Sequence, residues 1–189
     1  SLGSFSWVIP DDISNQVKVK VTNNSDLSVN DASDTNFKIV GILGVTVPNG
    51  GERWTVNSNH NITWTRTGSI ANAKLEYSIN SGANYTTIIA STPAGALGFT
   101  WNVPDAVSKL CKVKISDVTD STVYDASDAD FIIQAGFTVI SPNGGEVYGV
   151  GFGTNITWST VGTANTVKLE YSKDGGTIYN SISDSTPLF

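Results

Sequence analysis

The chain has 189 residues, 39% of them apolar and 10% aromatic, enough to fill one or two packed cores. Lys and Arg number 11 against 17 Asp and Glu; the net charge of -6 argues against nucleic acid or an anionic membrane surface as the main partner, because both need a basic face. One Cys and one His exclude an internal disulfide and a His-rich metal site, and no apolar run approaches the ~20 residues of a membrane span.

Residues 1–40 carry Trp7 and Pro10, the alternating run Lys18-Val19-Lys20, a turn at Asp31-Ala32-Ser33-Asp34, and Phe37. Beyond residue 40 the hydrophobic period is two, the signature of strands with one wet face. Strands are expected near 44–48, 60–66, 73–79, 85–90, 98–103, 110–117 and 129–134. Ile62 and Trp64 share a face, as do Leu75, Tyr77 and Ile79, then Phe99, Trp101 and Val103, then Cys111, Val113 and Ile115. Turn chemistry separates them at Pro48-Asn49-Gly50-Gly51, Asn80-Ser81-Gly82 and Asp125-Ala126-Ser127-Asp128. No segment reads as a capped amphipathic helix. Seven short strands in about a hundred residues predict an all-β chain built on an immunoglobulin-like or fibronectin-III-like sandwich. Its expected core is Val47, Ile62, Trp64, Leu75, Tyr77, Ile88, Phe99, Trp101, Val113, Ile115, Phe131 and Ile133, with Cys111 as a small buried residue.

The chain repeats itself with a period of 94 residues and no gap. Pro48-Asn49-Gly50-Gly51-Glu52 returns as Pro142-Asn143-Gly144-Gly145-Glu146, and Asn61-Ile62-Thr63-Trp64 as Asn155-Ile156-Thr157-Trp158. Lys74-Leu75-Glu76-Tyr77-Ser78 returns as Lys168-Leu169-Glu170-Tyr171-Ser172. In the other direction Trp7 anticipates Trp101, and Asp31-Ala32-Ser33-Asp34 anticipates Asp125-Ala126-Ser127-Asp128. Residues 1–40 therefore read as the C-terminal half of a module, 41–134 as a whole one, and 135–189 as the N-terminal half of the next. The absence of an initiator Met and a signal peptide reads as a piece of something longer.

The order Pro-Asn-Gly-Gly-Glu, Ile-Thr-Trp, Leu-Glu-Tyr-Ser, Trp-Asn-Val-Pro and Asp-Ala-Ser-Asp-Ala-Asp-Phe-Ile-Ile resembles tandem immunoglobulin-like modules of large prokaryotic surface and secreted proteins. It is also similar to an immunoglobulin-like domain of fungal cell-wall proteins. The resemblance implies repeated extracellular modules acting as stalks, spacers or adhesive surfaces, and it brings no catalytic residues with it.

Half modules bury too little surface to offset chain entropy, so each is expected to be completed by a neighbouring unit. Two arrangements do this: a window in one continuous polypeptide, or separate chains exchanging halves; both give a head-to-tail filament. The joints, Val40 to Gly44 and Gln134 to Phe137, are short and partly apolar; Ile42, Leu43 and Phe137 are expected to pack between modules and make a semi-rigid rod.

Candidate chemistry is sparse. Asp117, Asp120, Asp125, Asp128 and Asp130 could supply oxygen ligands to calcium, though the spacing fits no EF-hand and Asp also favours plain turns. Trp54 and its counterpart Tyr148, with Tyr85, Tyr124 and Tyr179, could stack on sugars, or the first pair could pack at a joint. Asn23, Asn61, Asn84 and Asn155 begin glycosylation sequons. Pro48-Asn49-Gly50-Gly51-Glu52 lacks the Lys-Ser/Thr of a phosphate loop. His60 is matched by Thr154, no carboxylate pair suits a glycosidase, and Lys–Asn cross-links are not favoured by lysines that alternate outward. The expectation is a non-enzymatic structural repeat at the cell surface or outside the cell, without a cofactor unless calcium binds, whose partners are copies of itself. An adhesin or carbohydrate-binding repeat, or a spacer in a secreted hydrolase, is the alternative.

Overall fold

The computed structural model describes residues 2–188. The chain is all-β. Its strands are β1 (Ser14–Val17), β2 (Lys20–Asn23), β3 (Asp26–Ala32), β4 (Phe37–Ile39), β5 (Ile42–Val47), β6 (Arg53–Thr55), β7 (Asn59–Thr67), β8 (Asn72–Ser78) and β9 (Thr86–Pro93). There follow β10 (Gly98–Asn102), β11 (Ser108–Asp117), β12 (Tyr124–Ala126), β13 (Phe131–Gln134), β14 (Gly136–Ser141), β15 (Thr157–Val161), β16 (Thr166–Tyr171) and β17 (Asn180–Pro187). A 3-10 turn, Ala94–Ala96, links β9 to β10. Among the described residues no helix is long and apolar enough to cross a membrane.

Strands β5 to β13 form two sheets over one core. A three-stranded sheet has the order β10-β7-β5, and a six-stranded sheet the order β6-β13-β11-β8-β9 with β12 also on β11. All pairs are antiparallel except β6 with β13. Leu43, Val45, Ile62, Trp64 and Trp101 from the first sheet meet Leu75, Val113, Ile115, Phe131 and Ile133 from the second, an arrangement consistent with a β-sandwich. Alternation puts these side chains on inner faces, where burying each is worth roughly 1.5–3 kcal/mol. Cys111 joins them as a free buried thiol, and burial pushes its pKa up.

Most of the expected core is buried, but Val47 is not. The β5–β7 register slips between Val45 and Val47, so the bulge turns Val45 inward and Val47 out. Tyr77, Ile88 and Phe99 pack only partly buried at its margin. The three-residue strands β6 and β12 were not legible as period-two runs; their partners β13 and β11 define them.

The remaining strands make only two-stranded sheets: β1 with β4, β2 with β3, β14 with β15, and β16 with β17. Apart from the end pair Asn23–Asp26, their registers follow those of the middle region moved by 94 positions. Val17 faces Phe37 as Cys111 faces Phe131, and Val139 faces Trp158 as Val45 faces Trp64. The turn bonds recur too. Glu52 accepts from the backbone N–H groups of Asn49 and Gly50, both at 2.9 Å; Glu146 accepts from those of Asn143 and Gly144 at 2.8 and 2.7 Å.

Candidate functional site

Two kinds of surface carry the molecule's potential to do something: the joints between successive regions, and the apolar faces left open at both ends.

At the first joint Asp11 Oδ1 accepts from the backbone N–H of Ser69 at 2.8 Å and from its hydroxyl at 3.1 Å. At the second, Asp105 Oδ1 accepts from the backbone N–H of Thr163 at 2.9 Å, and its Oδ2 from the Thr163 hydroxyl at 2.7 Å. Both members of this clamp stand 94 residues apart in the two joints. Each receiving loop turns on a left-handed glycine just before the donor, Gly68 at φ 82° and Gly162 at φ 80°. A β-carbon on Gly68 would lie 3.1 Å from Asp11 Oδ1, and one on Gly162 would lie 2.7 Å from Val56, so both loops sit tight against the preceding region. The first joint has a further tie, Lys38 Nζ to Asp120 Oδ2 at 2.7 Å, and Ile13 packs against the central core.

The residues expected to fill the joints behave differently. Leu43 points into the central core, whereas Ile42 and Phe137 stay largely exposed. The reason is that β5 and β14 begin within the anticipated linkers, and strand alternation then assigns Ile42 outward and Leu43 inward.

The end faces are apolar and uncovered. Val113 is 0% exposed but its counterpart Val19 is 44%; Val103 is 0% and Ile9 54%; Val56 is 2% and Val150 104%. Phe137, Val139, Ile156, Trp158, Val167 and Leu169 line an open groove on the C-terminal segment.

The anticipated ligand sites do not assemble. Trp54 is a correction: expected near the surface as a sugar platform, it is buried, stacked on His60 with centroids 4.5 Å apart and packed against Trp101 and Phe131. Short strand β6, paired with β13, draws it inward. Tyr148 is half exposed, on a segment that lacks the partner strand that buries Trp54. The acidic residues separate into local roles. Asp117 accepts from Thr119 and Asp120 from Lys38 and Thr122; Asp125 accepts from the Val45 N–H, Asp128 from the Asn49 amide and Asp130 from the Ser81 hydroxyl. Among the described residues no three His, Cys, Asp or Glu side chains come together as a metal site. Asn23, Asn61, Asn84 and Asn155 are all exposed.

Sequence reasoning missed the Asp11 and Asp105 clamp; the paired Asp residues at the 94-residue spacing were the available signal. On the outward face of the large sheet it also missed a charged cluster around the buried Glu76, which binds Lys74 at 2.6 Å and Lys114 at 2.8 Å, with Lys114 over the Tyr85 ring.

No protein-family model matches this chain, and no similar curated protein or solved structure was found.

Proposed function

We propose that the chain is a run of tandem immunoglobulin-like sandwiches with a 94-residue repeat and that it serves as a structural unit of an extracellular fibre, stalk or surface appendage. The observation that carries this reading is the recurrence of one joint: the Asp11–Ser69 and Asp105–Thr163 clamps use residues at equivalent positions, each carboxylate accepting from a backbone N–H and a side-chain hydroxyl beside an equivalent left-handed glycine. A joint repeated with fixed contacts transmits the same rotation and advance from unit to unit, the condition for a regular rod. The function is mechanical. A complete unit buries its own core, as the middle region does, the clamps hold alignment, and an acidic, Ser- and Thr-rich exterior limits lateral association.

The direct test is the shape of the purified chain. Small-angle scattering and shadowed micrographs should give an elongated particle one sandwich wide with little bending. A compact globule, or beads bending freely at the joints, would refute the proposal.

A further inference from the structure

The two open end faces are complementary halves of one sandwich, and this inference rests on the reading of the chain as successive equivalent units. Three ladders join the first half of the middle region to its second half: β7 with β10, β8 with β11, and β6 with β13. The ladders within each half are β5 with β7, β8 with β9, and β11 with β12 and β13. The C-terminal segment has the counterparts of the first two, in β14–β15 and β16–β17, and the N-terminal segment has those of the last two, in β1–β4 and β2–β3. What both lack is the set that crosses between halves.

Strand assignment follows the same division. Residues 4–8 correspond to β10 and residues 147–149 to β6, yet neither is a strand. Strand β15 begins at Thr157, although its counterpart β7 begins four positions earlier in the aligned frame, at Asn59. Each of these stretches has its ladder partner in the opposite segment, and an extended backbone without that partner forms no sheet.

We propose that a second copy of this chain closes the open end: residues 136–187 of one copy accept residues 4–40 of the next. The register follows from the middle region. Val113 faces Tyr77 and Ile115 faces Leu75, so Val19 will face Tyr171 and Val21 will face Leu169 of the other copy. Phe5 will face Ile156, as Phe99 faces Ile62. Charge agrees with this register. Glu76 holds Lys74 and Lys114 together, whereas Glu170 holds Lys168 alone at 2.6 Å; Lys20, the counterpart of Lys114, completes the pair across the new interface. Asp31 stands ready for the Val139 N–H, as Asp125 takes that of Val45. The contact is head to tail and does not close on itself, so it grows into a filament. The same register holds where the two halves follow one another along one polypeptide.

Thiol cross-linking reads the register directly. In a Cys111→Val background, Thr22→Cys and Lys168→Cys place two thiols opposite each other on the outward face of the large sheet, because Ser116 faces Lys74 in the middle region. Mild oxidation should give a ladder of covalent multimers on a non-reducing gel, increasing with protein concentration. Thr22→Cys with Lys173→Cys, about 17 Å out of register, should give no covalent multimers. As a second reading, Lys20→Glu or Glu170→Lys alone should weaken association about tenfold, and the two together should recover most of it. The melting transition of the middle core reports that each variant is folded. Monomers at every concentration, equal cross-linking by both cysteine pairs, or a double charge reversal no better than the singles would overturn the inference. A rigid but strictly monomeric rod would sink this inference and leave the structural reading standing; an in-register polymer of freely bending beads would do the reverse.

Discussion

Removing the Trp54 ring leaves a hole bounded by His60, Trp101 and Phe131, too well packed to collapse fully. Trp54→Ala should therefore cost roughly 3–5 kcal/mol, read as a lowered urea midpoint with an unchanged slope. Stability equal to the parent's would return Trp54 to the surface and to a binding role. The carboxylates set the acid limit. Hydrogen bonds from Lys38, then from Thr122, hold Asp120 down from its usual 3.8 to about 2. Burial pushes the Glu76 pKa up, but bonds from Lys114 and Lys74 outweigh it; burial likewise opposes the Asn49 and Gly50 bonds at Glu52, and both groups end below their usual 4.5. Each folded pKa lies below its unfolded value, so the folded state binds fewer protons and stability is complete above those unfolded values. Melting temperature should stay level down to about pH 5 and fall as pH drops through about 4.5 towards 2. Asp120→Asn should remove the part of that loss carried by the first joint; a profile that falls instead on the alkaline side would contradict the assignment.

At the scale of elements, the loops that receive the clamps each turn on a left-handed glycine, Gly68 or Gly162. Gly162→Ala forces an L side chain into the left-handed region, a cost of roughly 1–2 kcal/mol, and drives its β-carbon against Val56. The expected result is faster proteolysis at the second joint while the central core melts at its usual temperature. Protection equal to the parent's would mean that the loop has room to move aside. Strand content obeys a related rule. β10 forms because β7 lies beside it, and the corresponding residues 4–8 stay irregular with no such neighbour.

For the whole molecule, the rod proposed above draws its alignment in part from the two carboxylate clamps, which act beside the Lys38–Asp120 pair and Ile13 at the first joint. Asp11→Ala with Asp105→Ala should broaden the distance distribution in solution scattering without lowering the melting temperature of the central core. An unchanged distribution would mean that packing by Ile13 and the glycine loops holds the joints unaided.

The period-two pattern of Thr, Val, Ile and aromatic residues was enough to define an all-β chain and seven of the nine central strands, because alternation is a local consequence of the pleat. The same local logic found Trp64, Leu75, Val113 and Phe131 as core. It failed where a neighbouring strand decides. A bulge against β7 turned Val47 outward, pairing with β13 took Trp54 inside, and Asp125, Asp128 and Asp130 went to Val45, Asn49 and Ser81, three separate partners distant in sequence. Amino-acid order thus determined which segments extend and which faces are apolar; tertiary contact alone decided which of those faces are covered, because burial belongs to a pair of surfaces and not to one strand.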